Sequence, residues 1–88
     1  MKADQTNDAE ALALGALGWT LSDDARAQRL IALTGLTPAG MRESLDQSDF
    51  LAAVLRFLEG HEPDLVACAG ELGVSPAALV AAREELER

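Results

Sequence analysis

GLTPAGM, residues 35–41, returns as GVSPAAL at residues 73–79. In both, a glycine is followed by an aliphatic residue, a hydroxyl residue, a proline, an alanine, a small residue and then Met or Leu. Each position has a backbone role. A glycine just past a helix adopts the left-handed conformation without steric penalty, and the aliphatic residue after it folds back onto the helix just ended. Thr37 or Ser75 then caps the next helix by accepting from its free N–H groups. Pro38 or Pro76 fills the first helical position, where a missing N–H is no loss. The segment is a helix stop joined to a helix start, used twice, and it predicts an all-α chain. Outside this box the copies diverge: Ala32-Leu33-Thr34 aligns with Gly70-Glu71-Leu72. Shared capping chemistry therefore explains the echo better than a duplicated repeat.

Composition agrees. Eighty-eight residues make one domain, and hydrophobic residues are 49% of them while aromatics are only 3%. The core must be built from Leu and Ala, which are strong helix formers. Net charge is −8, from 7 basic and 15 acidic residues. Such a surface opposes a phosphate backbone or an anionic membrane and favours solubility. Cys68 is the single cysteine, so no intramolecular disulfide forms. MKADQTND holds no apolar signal core and no run is long enough to span a bilayer, so the expected setting is a reducing, bacterial-type cytoplasm with no membrane partner.

Working outward from the two boxes, residues 1–6 read as a flexible tail and residues 7–88 as a single helical domain. Asn7 caps a first helix, with Glu10 completing a capping box, and that helix runs to about Leu21. Ser22 or Asp23 caps a second, with Asp23 and Asp24 in its first turn and Arg26 placed to pair with Asp23. Ala27, Leu30, Ile31 and Thr34 line it before Gly35. A short helix from Pro38 to about Leu45 turns Met41 and Leu45 inward. Ser48 caps a helix to about Glu59, stopped by Gly60. Phe50, Leu51, Val54, Leu55, Phe57 and Leu58 form its apolar face. Pro63 opens a fifth helix with Leu65, Ala69 and Leu72 on one side. The sixth runs from Pro76 to near Glu87 with Leu79, Ala82 and Leu86 inward, and its REELER end reads as a solvated charged turn. The expectation is a compact bundle of five or six short helices linked by Gly/Ser/Thr/Pro caps.

The last two helices have the spacing of a helix-turn-helix. A recognition helix needs polar and basic residues near its start. This one begins Pro76, Ala77, Ala78, and Arg83 is its first basic residue. The geometry is expected; the DNA-binding function is not.

The first helix, EALALGALGWTL, is apolar nearly all round. Leu12, Ala16 and Trp19 share one side; Leu14, Leu17 and Leu21 share roughly the opposite one. Such a helix is either buried at the centre or offers a second face to a partner. Leu14, Leu17, Trp19 and Leu21 are therefore the candidate interaction residues. Gly15 and Gly18 weaken a helix and imply close approach of a neighbour.

Nothing in the chain assembles a reactive centre. His61, the only histidine, sits in the acidic loop EGHEPD without a second histidine or spaced cysteines. Cys68 reads as a buried structural thiol. Arg26 and Arg29 could form a small basic patch, but local ion pairing is the expected arrangement. No catalytic, cofactor-binding or metal-binding residue is expected, and no cofactor.

EALALGALGWTLSDD, RLIALTGLTPAGMRESL and SDFLAAVLRFLEGHEPDLVACAGELGVSPAALVAAREEL together resemble the family known as domain of unknown function 3572, over about residues 9–86. Its specific parts are the LTGL-P segment, FLAAVL and the helix start at Pro76. The resemblance implies a small helical protein, found mainly in alphaproteobacteria, with no established activity and no site residues to transfer. Arg26 to Arg29 and Cys68 depart from the family's pattern. The functional expectation is a non-catalytic module that binds a protein partner or itself. The alternatives are nucleic-acid binding through the last two helices, which would depend on Arg83, and an enzyme or small-ligand carrier, which would need a concave pocket.

Overall fold

The computed structural model describes residues 2–88, with side chains from residue 8 onward. Six α-helices follow one another: α1 Lys2–Leu21, α2 Asp24–Thr34, α3 Pro38–Glu43, α4 Ser48–Glu59, α5 Glu62–Leu72 and α6 Pro76–Leu86. The described residues contain no strand, and the all-α expectation holds. Helix α1 begins at Lys2, ahead of the Asn7 cap expected from the sequence. The Asn7 side chain and Met1 of the expected tail lie outside the described residues.

Both boxes form the stop and start that their residues dictate. Gly35 and Gly73 have φ of 71° and 74°, the two positive values among the described residues. Thr37 accepts from the Gly40 N–H and Ser75 from the Ala78 N–H, each at the start of a helix opened by proline. The stops differ in detail. Gly35 donates to the Ile31 carbonyl, while the Leu36 N–H takes the Thr34 hydroxyl. At the second box the Val74 N–H reaches the Ala69 carbonyl, as in a Schellman ending.

Three boundaries depart from the sequence reading. Gln47, not Ser48, is the N-cap of α4: it is extended, and its carbonyl accepts from Leu51. Helix α5 opens one residue before Pro63. Helix α3 ends at Glu43, where the Ser44 N–H turns back to the Met41 carbonyl. Leu45 therefore lies beyond the helix, loses its four-residue register with Met41, and is exposed rather than inward.

Helix α1 is the centre of the assembly and is packed by α2, α4, α5 and α6. Ala9, Ala13 and Ala16 recur at helical spacing on its buried face, with Leu17 and Thr20 completing it. Short side chains let the flanking helices come close. The buried Thr20 hydroxyl donates to the Ala16 carbonyl at 2.8 Å, so the core holds no orphaned oxygen there. Opposite α1, α4 brings Leu51, Val54, Leu55 and Leu58, α2 brings Leu30 and α6 brings Leu79, all essentially sealed from solvent. Burying each leucine fully contributes about 1.5–3 kcal/mol before ordering costs. Gly15 does meet a neighbour, since a Cβ there would stand 3.1 Å from Leu72 of α5. Gly18 does not: nothing lies within 4 Å of its Cβ position, which corrects the expectation of a second close approach. Helices α5 and α6 meet at 96° around Gly73, the steep angle expected of a helix-turn-helix pair. No single helix among the described residues is long and apolar enough to cross a membrane.

Candidate interaction cleft

The stripe Leu14, Leu17, Leu21 follows one line along α1 at spacings of three and four. Its two ends, Leu14 and Leu21, are each 41% exposed, and its middle, Leu17, is 6% exposed. Leu17 is thus a core residue rather than a free contact residue, and only the edge of α1 beside it stays accessible. That edge forms part of a cleft of about 180 Å³. Leu17 and Leu21 of α1, Ile31 of α2 and Pro38 and Met41 of α3 line it, with Arg42 and Leu45. Met41 is buried and Leu45 is 37% exposed. The walls are aliphatic and flexible, with a thioether among them, so they adapt to the shape of an occupant. Leu45, beyond the end of α3, stands at the mouth of this cleft.

Trp19 lies apart from the cleft and is covered by its own chain. The Arg26 guanidinium stands 3.6 Å from the centre of the indole ring. It also donates to the Trp19 carbonyl at 2.9 Å and to the Ser22 hydroxyl at 3.2 Å. The expected Arg26–Asp23 ion pair is replaced by a cap, in which Asp23 accepts from the Arg26 backbone N–H. Two of the four expected contact residues, Leu17 and Leu21, therefore converge on the cleft, Leu14 stands on open surface, and Trp19 is partly sealed.

Arg29, Arg56 and Arg83 are engaged elsewhere. Arg29 reaches Asp64 at 2.9 Å, and His61 Nδ1 lies 3.0 Å from the same carboxylate. No basic patch of Arg26 and Arg29 forms. At the other end, Arg83 grips Glu59 and also Glu87, and Arg56 grips Glu87. The hydrogen bonds that Arg83 donates to the Glu59 and Glu87 carboxylates favour its charged guanidinium. The hydrogen bond from Arg56, seconded by Arg83, holds the Glu87 carboxyl below the usual glutamate range. Within the REELER segment Glu84, Glu87 and Arg88 are exposed, as expected of a solvated charged end, while Arg83 and Glu87 also clamp α6 to α4. Arg83, the residue on which nucleic-acid contact would depend, is occupied by carboxylates.

The Cys68 thiol is fully buried, and burial pushes its pKa up, away from the reactive thiolate. The described residues hold no cluster of three His, Cys, Asp or Glu side chains suited to a metal ion. Around His61 lies an open groove floored by Phe57 and Leu33 and flanked by Arg29 and Arg56. Sequence reasoning missed the α2 and α3 contributions to the cleft. Leu45 was the available signal, an aliphatic residue two positions beyond the last helical one.

A family model described as a protein of unknown function, DUF3572, matches residues 6–88. No curated protein and no solved structure matches the chain.

Proposed function

The chain belongs to the DUF3572 family, and on that premise we propose that it is a non-catalytic cytoplasmic module that docks a protein partner through the cleft between α1, α2 and α3. The cleft carries this reading. Its base is fixed by buried Leu17 and Met41, and its sides are the half-open Leu21 and Leu45. The size of this cleft favours a protein side chain over a metabolite, although three more open grooves elsewhere on the surface measure about 350–430 Å³. Small-molecule pockets hold about 300–1,000 Å³, whereas about 150 Å³ accommodates one benzene-sized group. A cleft of about 180 Å³ is sized for one anchoring side chain, the unit from which interface hot spots are built. The sealed thiol of Cys68 and the engaged guanidinium of Arg83 support this reading over an enzyme or a nucleic-acid binder.

The test is retention of partners by the tagged full chain from a lysate of the organism that makes it, at moderate salt, with nuclease in parallel. The control is a Leu21→Ser, Leu45→Ser double variant whose helicity is checked first. A stoichiometric protein that survives nuclease and is lost with the double variant is the expected result. Retention of nothing, or of nuclease-sensitive material alone, overturns the reading.

A further inference from the structure

Six arginines occur in the chain, and five have a partner within it. Arg26 covers the Trp19 ring, Arg29 holds Asp64, Arg56 holds Glu87, Arg83 holds Glu59 and Arg88 lies 3.6 Å from Glu85. Arg42 alone has neither a carboxylate nor a ring among the described residues. Glu43 is its neighbour and Asp46 is four residues on, yet neither pairs with it. In a chain with 15 acidic residues for 7 basic ones, an unmatched arginine is the exception. It stands on the wall of the aliphatic cleft, beside Met41 and Leu45.

We infer that the cleft takes a peptide segment presenting one aliphatic side chain with a carboxylate next to it, the side chain seated on Leu17, Met41 and Leu45 and the carboxylate held by Arg42. This rests on the docking reading above and adds the chemistry of the partner. Seating the aliphatic group removes water from the Arg42 side of the cleft. A guanidinium there offers two parallel N–H donors in the fork that a carboxylate matches. Because the rest of the surface is strongly acidic, the carboxylate's attraction is local to this one cation. That makes Arg42 a determinant of register and selectivity rather than of long-range steering. A basic residue at the same place would meet Arg42 with like charge.

The test titrates the isotope-labelled full chain with two eight-residue peptides, acetylated and amidated. They are identical except that the residue after a single central Leu is Asp in one and Lys in the other. The Leu-Asp peptide is expected to shift the methyl signals of Met41 and Leu45 saturably and to bind about tenfold more tightly than the Leu-Lys peptide, as a charge-assisted hydrogen bond allows. Arg42→Gln, an exposed substitution with the fold checked by helicity, is expected to abolish that difference. Equal binding of the two peptides, tighter binding of the Lys peptide, an unchanged preference in the variant, or no shift at the cleft each overturns the inference. So does concentration-dependent shifting of the same signals without peptide, which would make a second copy of the chain the occupant. A lysate partner that depends on Leu21 and Leu45 but not on Arg42 leaves the docking reading standing and removes only this one.

Discussion

Arg83 holds Glu59 through two parallel hydrogen bonds, Nε to Oε2 at 2.8 Å and Nη2 to Oε1 at 3.1 Å. The pair ties the last turns of α6 to the end of α4, and Arg83 also reaches Glu87 one turn along its own helix. Fork geometry of this kind is the strong form of an ion pair. Arg83→Ala is expected to lower the melting temperature by a few degrees. Arg83→Lys, which keeps the charge but not the fork, should fall between the two. Thermal melts followed by circular dichroism decide it, and identical midpoints for all three proteins would contradict a role for the clamp.

Glu87 provides the pH dependence. Arg56, and after it Arg83, hold its carboxyl below the ordinary glutamate range. A group whose pKa is depressed by folding stabilises the fold above its unfolded pKa, and that contribution is lost as pH falls through the folded value. Glu87→Gln should therefore be less stable than the native chain near pH 7. The gap should close as pH drops below about 4, where unfolded glutamate itself takes up a proton. Parallel melts from neutral to acid pH measure it; a gap that stays constant would remove Glu87 from the account.

The two glycines of α1 should respond differently to one substitution. Gly18→Ala is expected to stabilise the protein by about 0.5–1 kcal/mol, because alanine is the better helix former and its methyl meets nothing within 4 Å. Gly15→Ala should gain less or lose, since its methyl would press on Leu72 at 3.1 Å. Urea unfolding midpoints rank the pair, and a larger gain at Gly15 would mean that Leu72 gives way freely.

Capping distinguishes two serines. Ser75 accepts from the Ala78 N–H at 3.1 Å, and Ser75→Ala should cost about 1 kcal/mol. Ser48 sits inside α4, whose cap is Gln47, and Ser48→Ala should change stability by no more than about 0.5 kcal/mol. Equal losses at both positions would return the cap to Ser48.

Trp19 reports on Arg26. Removing the guanidinium that covers the indole at 3.6 Å should open one ring face to water. Arg26→Ala is expected to shift tryptophan emission to the red and to increase quenching by iodide or acrylamide. An unchanged spectrum would mean that other side chains shield the ring.

Much of this architecture was legible before any coordinates, and the legible part has one character. Gly35, Thr37 and Pro38, and their counterparts Gly73, Ser75 and Pro76, act through hydrogen bonds within a few residues of themselves. Their roles follow from backbone chemistry alone. The inward faces of α4 and α6 were equally readable, because helical spacing projects directly onto burial. The candidate site was half legible. Leu17 and Leu21 were singled out, while Ile31, Met41 and Arg42 were not recognised as their neighbours.

What the sequence determined by itself, then, was the α class, the places where helices stop and start, and the aliphatic makeup of the core. These depend on local sterics, local donors and acceptors, and periodicity. Helix packing set the rest: Leu17 is covered and Leu21 open, Arg26 turns to Trp19 rather than Asp23, and Arg83 is bound to Glu59. An arginine's long side chain reaches several partners at similar energy, and the choice among them is made by which helices pack together. Exposure on a helix that is apolar on all sides is settled the same way, by the neighbours that the rest of the chain brings to it.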